Sequence, residues 1–552
     1  MNRSIRRVAA LAAVVAASLM AAQSALAADA SCTGDAIAGL ASPAKLTPSS
    51  IAKKGGTSTG HVTGVIDAAC AQFNSPPTGA AAAMQDAGYT PTEIGDVMIS
   101  GFGLTVVESA GVFKNLGFTA TEIAQMLLGS YAQTPLQGAQ LLKDLGFTAV
   151  EVGTALKDVY VQTALQAAGI LKTVLYTAVE VGEALRDAFV QNALQAATIL
   201  KTVAFGVVDV GLALKNAFLQ GAQDAAQILK TILYGAVDVG LALKDAFLEG
   251  AQNAAQILKT IAFGVVDVAN ALKNAFLQAA QDAAAILKAI LFNPTQVGMA
   301  LRDAFLHTAA QAAAVMKAIL YAAGEVATAL KEAFIQTAEQ AAQILKTVAY
   351  AVLDVANALK DVFLSTAQEV AQIFKTIAYA VADVANALKV AFLKTAEEVA
   401  QIFKTIAYGV AEIANAMKVA FFKTVQEVGQ ILKTLAYGVI EVANALKTAF
   451  VEIGEALAQT VAGVLKAVGY AVNEVTQALE TAFGLAAAAA GEILKAIGYA
   501  LEDIAKAIGA VFDLAGDALE SFLVDVLGFD PDVVGDVLDT IACIVFPPSC
   551  FF

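Results

Sequence analysis

The chain has 552 residues, 58% of them hydrophobic, with a mean hydropathy of +0.67, two histidines, no tryptophan and a formal net charge of −15. An acidic chain without a basic run gains nothing from counterion release on a phosphate backbone, which excludes nucleic-acid binding. Much of the apolar content is alanine, the best helix former, and there are only ten prolines, so composition points to an all-α chain.

The N-terminus reads MNRSIRR followed by VAALAAVVAASLMAAQSALAA. A basic segment, an apolar segment and an Ala25-Leu26-Ala27 site make residues 1–28 a secretory signal peptide, with cleavage expected near Ala27 or Ala28. The expected location is periplasmic, cell-surface or extracellular. Residues 29–89 contain Pro, Ser and Lys53-Lys54-Gly55-Gly56 and read as an irregular or partly helical N-terminal cap. Cys32 and Cys70 lie near the mature start and Cys543 and Cys550 near the end. This clustering favours Cys32 with Cys70 and Cys543 with Cys550, two staples at the ends of an exported chain.

From residue 90 to 451 a tandem repeat dominates. A Lys preceded by an apolar residue recurs at Leu171, Leu200, Leu229, Leu258 and Leu287, always 29 residues apart, the signature of stacked helical units. Each unit divides into a 15-residue half, such as GVVDVGLALKNAFLQ from Gly206, and a 14-residue half, such as GAQDAAQILKTILY from Gly221. Of 24 halves starting between Thr105 and Gly438, 20 begin with Thr, Asn or Gly, all 24 have an acid or amide at position 4, and 23 have Lys or Arg at position 10.

These positions spell a short helix. The first residue caps, and the acid or amide three residues on completes a capping box, as expected of Thr119 with Glu122, Thr148 with Glu151 and Thr177 with Glu180. The cation falls in the last turn, at the negative end of the dipole. Pro91, Pro135 and Pro294 fall at the first helical position, where a missing N–H costs nothing. In KNLGFTATEIAQ, Gly117 is expected to end one helix in the left-handed conformation while Phe118 pins the corner to the next. Positions 5, 8, 9, 12 and often 13 are the expected buried stripe.

The predicted fold is therefore an α-solenoid of helix hairpins. One alternative stays open for residues 322–450: from Glu325 to Tyr408 there is no Gly or Pro, and YAVLDV and YAVADV have lost the cap. A period of 29 residues in eight turns is 3.625 per turn, so fused, longer helices would keep the same polar and apolar faces. Residues 452–552 read as variant repeats and a C-terminal cap: the 33-residue step from Leu432 to Leu465 implies one extra turn, and Asp530-Pro531 marks a late helix start.

Chemistry-bearing patterns are few. His61 and His307 have no neighbouring Cys, Ser or second His in a catalytic or metal-ligating spacing, and no phosphate loop or dinucleotide fingerprint occurs. Paired acids could run glycoside chemistry, but the capping role accounts for most of them, and others such as Asp245 follow a cation on a polar face. No catalytic residue, metal site or cofactor is expected. A Tyr or Phe closes most 14-residue halves, as at Tyr176, Phe205 and Tyr234, and reads as inter-repeat core. A second row, Thr173, Thr202, Thr231 and Thr260, reads as a solvated polar stripe.

The functional expectation is an exported, non-catalytic scaffold, spacer or protein-binding surface, whose concave groove takes a protein or peptide or whose ends self-associate. The alternative is a lipid-interacting amphipathic protein, against which net negative charge and the lack of Trp argue.

Overall fold

The fold is taken from a computed structural model that describes residues 76–545, apart from 87 and 101. The expected signal peptide, His61, Cys32, Cys70 and Cys550 lie outside the described residues, as do the expected disulfides; Cys543 falls within the last helix, Pro531–Val545.

No strand occurs among the described residues. From Val106–Asn115 to Val439–Ala449 the chain forms helices of 10 to 12 residues, one per half-repeat. Consecutive and next-nearest helices pack in series, which makes this an all-α repeat solenoid. Two compact units are present, residues 1–279 and 280–552, and the arrangement below holds within each.

Helix starts are built by local hydrogen bonding. The Thr148 hydroxyl accepts from the N–H of Glu151 (3.3 Å) and donates to its carboxylate (2.8 Å), which also accepts from the Thr148 N–H (2.8 Å). Thr119 with Glu122 and Thr177 with Glu180 form the same reciprocal box. Pro135 and Pro294 occupy the first helical position. Starts at Gly206, Gly221, Gly235 and Gly264 have Asp at position 4 and no side-chain cap bond. Where Glu stands there, it reaches back even without a cap side chain: Gly409 and Ala322 donate their N–H to Glu412 and Glu325 at 2.8 Å. The extra methylene of Glu decides the difference.

Helix ends are made by backbone conformation. Gly117 has φ 79°, its N–H donates to Lys114 O (3.0 Å), and the Phe118 N–H donates to Phe113 O (3.1 Å). The Phe113 and Phe118 rings lie 4.5 Å apart, so the corner is pinned by apolar contact as well. In the body of the array the same left-handed position is held by Leu175, Ala204, Leu233 and Ala262, at φ 62° to 66°.

This geometry resolves residues 322–450. The fused helix does not form: Ala351 and Ala380 adopt extended conformations at φ −64° and −62° and begin new helices without a side-chain cap. The break lies two residues earlier, where Ala349 and Ala378 are left-handed at φ 62° and 55° and the N–H of Tyr350 and Tyr379 close the preceding helix. Position 13 of the short halves is also corrected: it is the left-handed corner, and Leu233 there is 86% exposed instead of buried.

The two helix series pack differently. Helices of the 15-residue halves approach closely, because position 6 is Gly or Ala and faces two alanines of the next such helix. A Cβ added to Gly211 would lie 3.2 Å from the Cβ atoms of both Ala242 and Ala246, and one added to Gly298 3.0 Å from that of Ala329. Helices of the 14-residue halves touch their counterparts sparsely, so successive repeats splay open on that side. After Phe450 the four-residue insertion is taken up in a six-residue 3-10 segment, Val451–Ala456, with Gly454 at φ 72°, in place of an added α-helical turn. At the final helix Asp530 accepts from the Asp532 N–H (3.0 Å).

Candidate functional site

The position-10 cations do more than sit at their own helix ends. Lys172 donates to Val203 O (2.6 Å) and Ala204 O (2.7 Å), the carbonyls that close the equivalent helix one repeat ahead, and lies 4.9 Å from the Phe205 ring centroid. Lys317 repeats this with Val348 O (2.5 Å), Ala349 O (2.8 Å) and the Tyr350 ring (5.0 Å). In the 15-residue halves, Lys215 reaches Ala246 O (2.8 Å) and Lys360 reaches Ala391 O (2.7 Å). Each ammonium thus satisfies orphan carbonyls of the neighbouring repeat and stacks on the aromatic that follows them.

The aromatic row is inter-repeat core. Tyr176 is buried and donates to Phe147 O at 2.6 Å; Tyr350 donates to Tyr321 O at 2.7 Å. Burial raises the Tyr176 phenol above its ordinary value, with Glu180 and Glu151 adding to the effect. Burial, reinforced by nearby carboxylates, pushes Tyr350 and Tyr408 up to about 12.

The threonine row is exposed, and its hydroxyl protons are committed to its own helices: Thr231 donates to Gln227 O, Thr347 to Gln343 O and Thr376 to Gln372 O, at 2.8 to 3.0 Å. It offers acceptors to solvent and few donors.

Open grooves lie where the short-half helices splay. One, of about 620 Å³, lies between Ala338–Thr347 and Ala367–Thr376 and is lined by Gln336, Gln340, Gln343, Ile344, Thr376 and Ile377. The next, of about 420 Å³, is lined by Thr366, Glu369, Gln372 and Ile406. The grooves therefore lie on the opened side of the repeats.

The remaining candidates are dispersed. His307 is half-buried, at the position where Gln220 and Gln336 donate to the carbonyl two residues back (3.2 and 3.1 Å). Asp187 and Asp303 pair with the preceding arginines at 2.7 Å, which hold both carboxyls below their ordinary values. Asp245 is exposed. Among the described residues no three His, Cys, Asp or Glu are placed to hold a metal, and no helix is long and apolar enough to cross a membrane.

Two features escaped the residue pattern. The Lys reach was encoded in the spacing of 33 residues between Lys172 and Phe205, which periodicity alone does not distinguish from core patterning. The left-handed leucines were encoded in the alignment of Gly117 and Gly146 with Leu175 and Ala204. No model of a known protein family matches this chain, and no curated protein matches it either.

Proposed function

We propose that this is an exported, non-catalytic helical repeat protein that acts as an extended scaffold or spacer and presents a binding surface to a protein or peptide at or outside the cell surface. The observation that supports this reading is the recurrence of the open short-half groove with the same Thr, Gln and Ile lining in successive repeats. Glutamine side chains there carry both donors and acceptors, and Ile344, Ile377 and Ile406 supply apolar floor, the combination that binds an extended peptide. Export rests on the N-terminal sequence of residues 1–28.

Two measurements test it. Expressed from its full sequence in a bacterial host, the protein is expected in the exported fraction with a new N-terminus near Ala28 or Asp29; an intact leader in the cytoplasm overturns export. Panning a random peptide library on the purified protein is expected to yield binders that fail on a Gln343→Arg, Gln372→Arg variant. No binders, or binders indifferent to the variant, overturn the groove.

A further inference from the structure

Position 14 of the 15-residue halves forms a ladder that neither the grooves nor the fold requires. In the first unit it is Val161, Val190, Leu219, Leu248 and Leu277, left-handed at φ 53° to 61° and 78% to 83% exposed. In the second it is Leu306, Ile335, Leu364, Leu393 and Phe422, at φ 54° to 60° and 78% to 85% exposed. These side chains are misplaced twice over: large or β-branched residues are disfavoured in the left-handed region, and exposed apolar surface is left in water.

The molecule carries its own control. In the outermost repeats the same turn position is Gly103, Ala132, Gly484 and Asp513, each also at positive φ. Small or polar residues therefore make this turn, and the ten central repeats replace them with Val, Ile, Leu or Phe without exception. Each rung also follows a half-exposed phenylalanine or, at Val161, a tyrosine that is 7% exposed.

We infer that the ladder is a self-association rail, on which a second copy of this chain docks side by side through the same rungs. Three observations select that occupant. A second copy carries rungs at an identical repeat step, so rung meets rung along a whole unit, which a partner of unrelated spacing does not provide. Five side chains about four-fifths exposed offer on the order of 600 Å² per unit, close to the ~800 Å² per partner of a stable interface. At four of the rungs the flanking charges are paired with opposite signs: Arg186–Asp187 beside Val190, Arg302–Asp303 beside Leu306, Lys394–Glu398 after Leu393 and Lys423–Glu427 after Phe422, at 2.7 to 2.9 Å. Such a border complements itself under a two-fold axis, whereas an anionic bilayer gains little from it. The rungs themselves do not line the short-half grooves, although Gln336, next to rung Ile335, does, and the rail does not depend on export.

The test is sedimentation velocity on the purified protein from about 1 to 100 μM, with a Val190→Gly, Leu219→Gly, Leu248→Gly variant alongside. Glycine suits the left-handed turn, so the variant is expected to keep its helicity and a thermal midpoint at or above that of the wild type. The wild type is expected to dimerise in this range and the variant to do so at least about tenfold more weakly. A second variant, Leu219→Asn with Leu248→Asn, is expected to behave likewise, because Asn tolerates the same conformation. A wild type that stays monomeric at about 100 μM, or variants that dimerise as tightly as the wild type, overturn the proposal. So does a monomer that floats with phosphatidylcholine vesicles through these rungs, which would assign the ladder to lipid.

Discussion

Lys172 stands in the last turn of one helix and closes the last turn of another: its ammonium donates to Val203 O at 2.6 Å, at the end of the helix Ala193–Thr202 one repeat ahead. The bond links equivalent helices of neighbouring repeats, so it is an inter-repeat term in a one-dimensional array. Lys172→Met keeps the aliphatic stem but removes two charge-assisted hydrogen bonds and a cation–π contact. We expect a loss of about 1 to 2 kcal/mol in urea unfolding. Amide exchange should rise first around Val203 to Phe205, in the repeat ahead; a change confined to residues 164–173 would count against the inter-repeat role.

The caps give a second prediction with an internal contrast. Thr148→Ala removes the hydroxyl's two bonds of the capping box, leaving Glu151 to accept from the backbone N–H as Glu325 does at Ala322, and is expected to cost about 1 kcal/mol. Gly221 begins a helix at φ −69° without a side-chain cap, and an added Cβ meets nothing closer than Asp224 Oδ2 at 3.9 Å. Gly221→Ser should therefore stabilise, by roughly 0.5 kcal/mol, as measured by the denaturant midpoint at constant m-value.

The left-handed corners invert the usual effect of glycine. Ala204 has φ 62°, the conformation that Gly146 holds at φ 79° two repeats earlier. Ala204→Gly is expected to raise stability by up to about 1 kcal/mol, the relief of left-handed strain exceeding the added unfolded-state entropy. The same change at Ala213, inside the helix Val207–Asn216, should lower it by about 1 kcal/mol or more. Equal signs at the two sites would remove the strain argument.

These corners also show what could be read from the residues and what could not. Where Gly117 precedes Phe118 and Thr119 stands before Glu122, stop and restart are both encoded in side chains with known preferences, and period, caps and helix class follow from sequence. At YAVLDV the stop is carried by Ala349, whose left-handed φ has no signature in its side chain, so a fused helix and a corner read alike. The corner holds because Tyr350 packs into the inter-repeat core and Lys317 binds the carbonyls of Val348 and Ala349. Those contacts are tertiary, and so are the position-6 seam and the splay that opens the grooves. A run of alanines announces helix without announcing which alanines face a neighbour.

The seam can be probed by size. Ala stands at position 6 in later repeats, as at Ala269 and Ala356, both fully buried, so Gly211→Ala should be tolerated within about 1 kcal/mol, helix propensity offsetting the 3.2 Å contacts. Gly211→Leu drives a branched side chain against Ala242 and Ala246 and is expected to cost about 2 to 3 kcal/mol. Crosslinking or scattering that found the two helices at unchanged separation and stability would contradict the close packing.

Alkaline pH tests the aromatic row. Tyr321, Tyr350, Tyr379, Tyr408 and Tyr470 are each pushed up to about 12 by burial, reinforced by nearby carboxylates. In the unfolded chain a phenol ionises near 10, so above that pH the unfolded state holds fewer protons than the folded one. Stability from these residues is therefore complete below pH ~10 and falls as pH rises towards ~12. Absorbance at ~295 nm should show most phenols of the folded protein titrating up to ~2 units above those in urea, with the unfolding midpoint dropping over the same window. Tyr350→Phe removes the hydroxyl that donates to Tyr321 O and should flatten part of that dependence while leaving the ring in place under Lys317. A folded protein whose tyrosines all titrate near 10 would place the row in solvent.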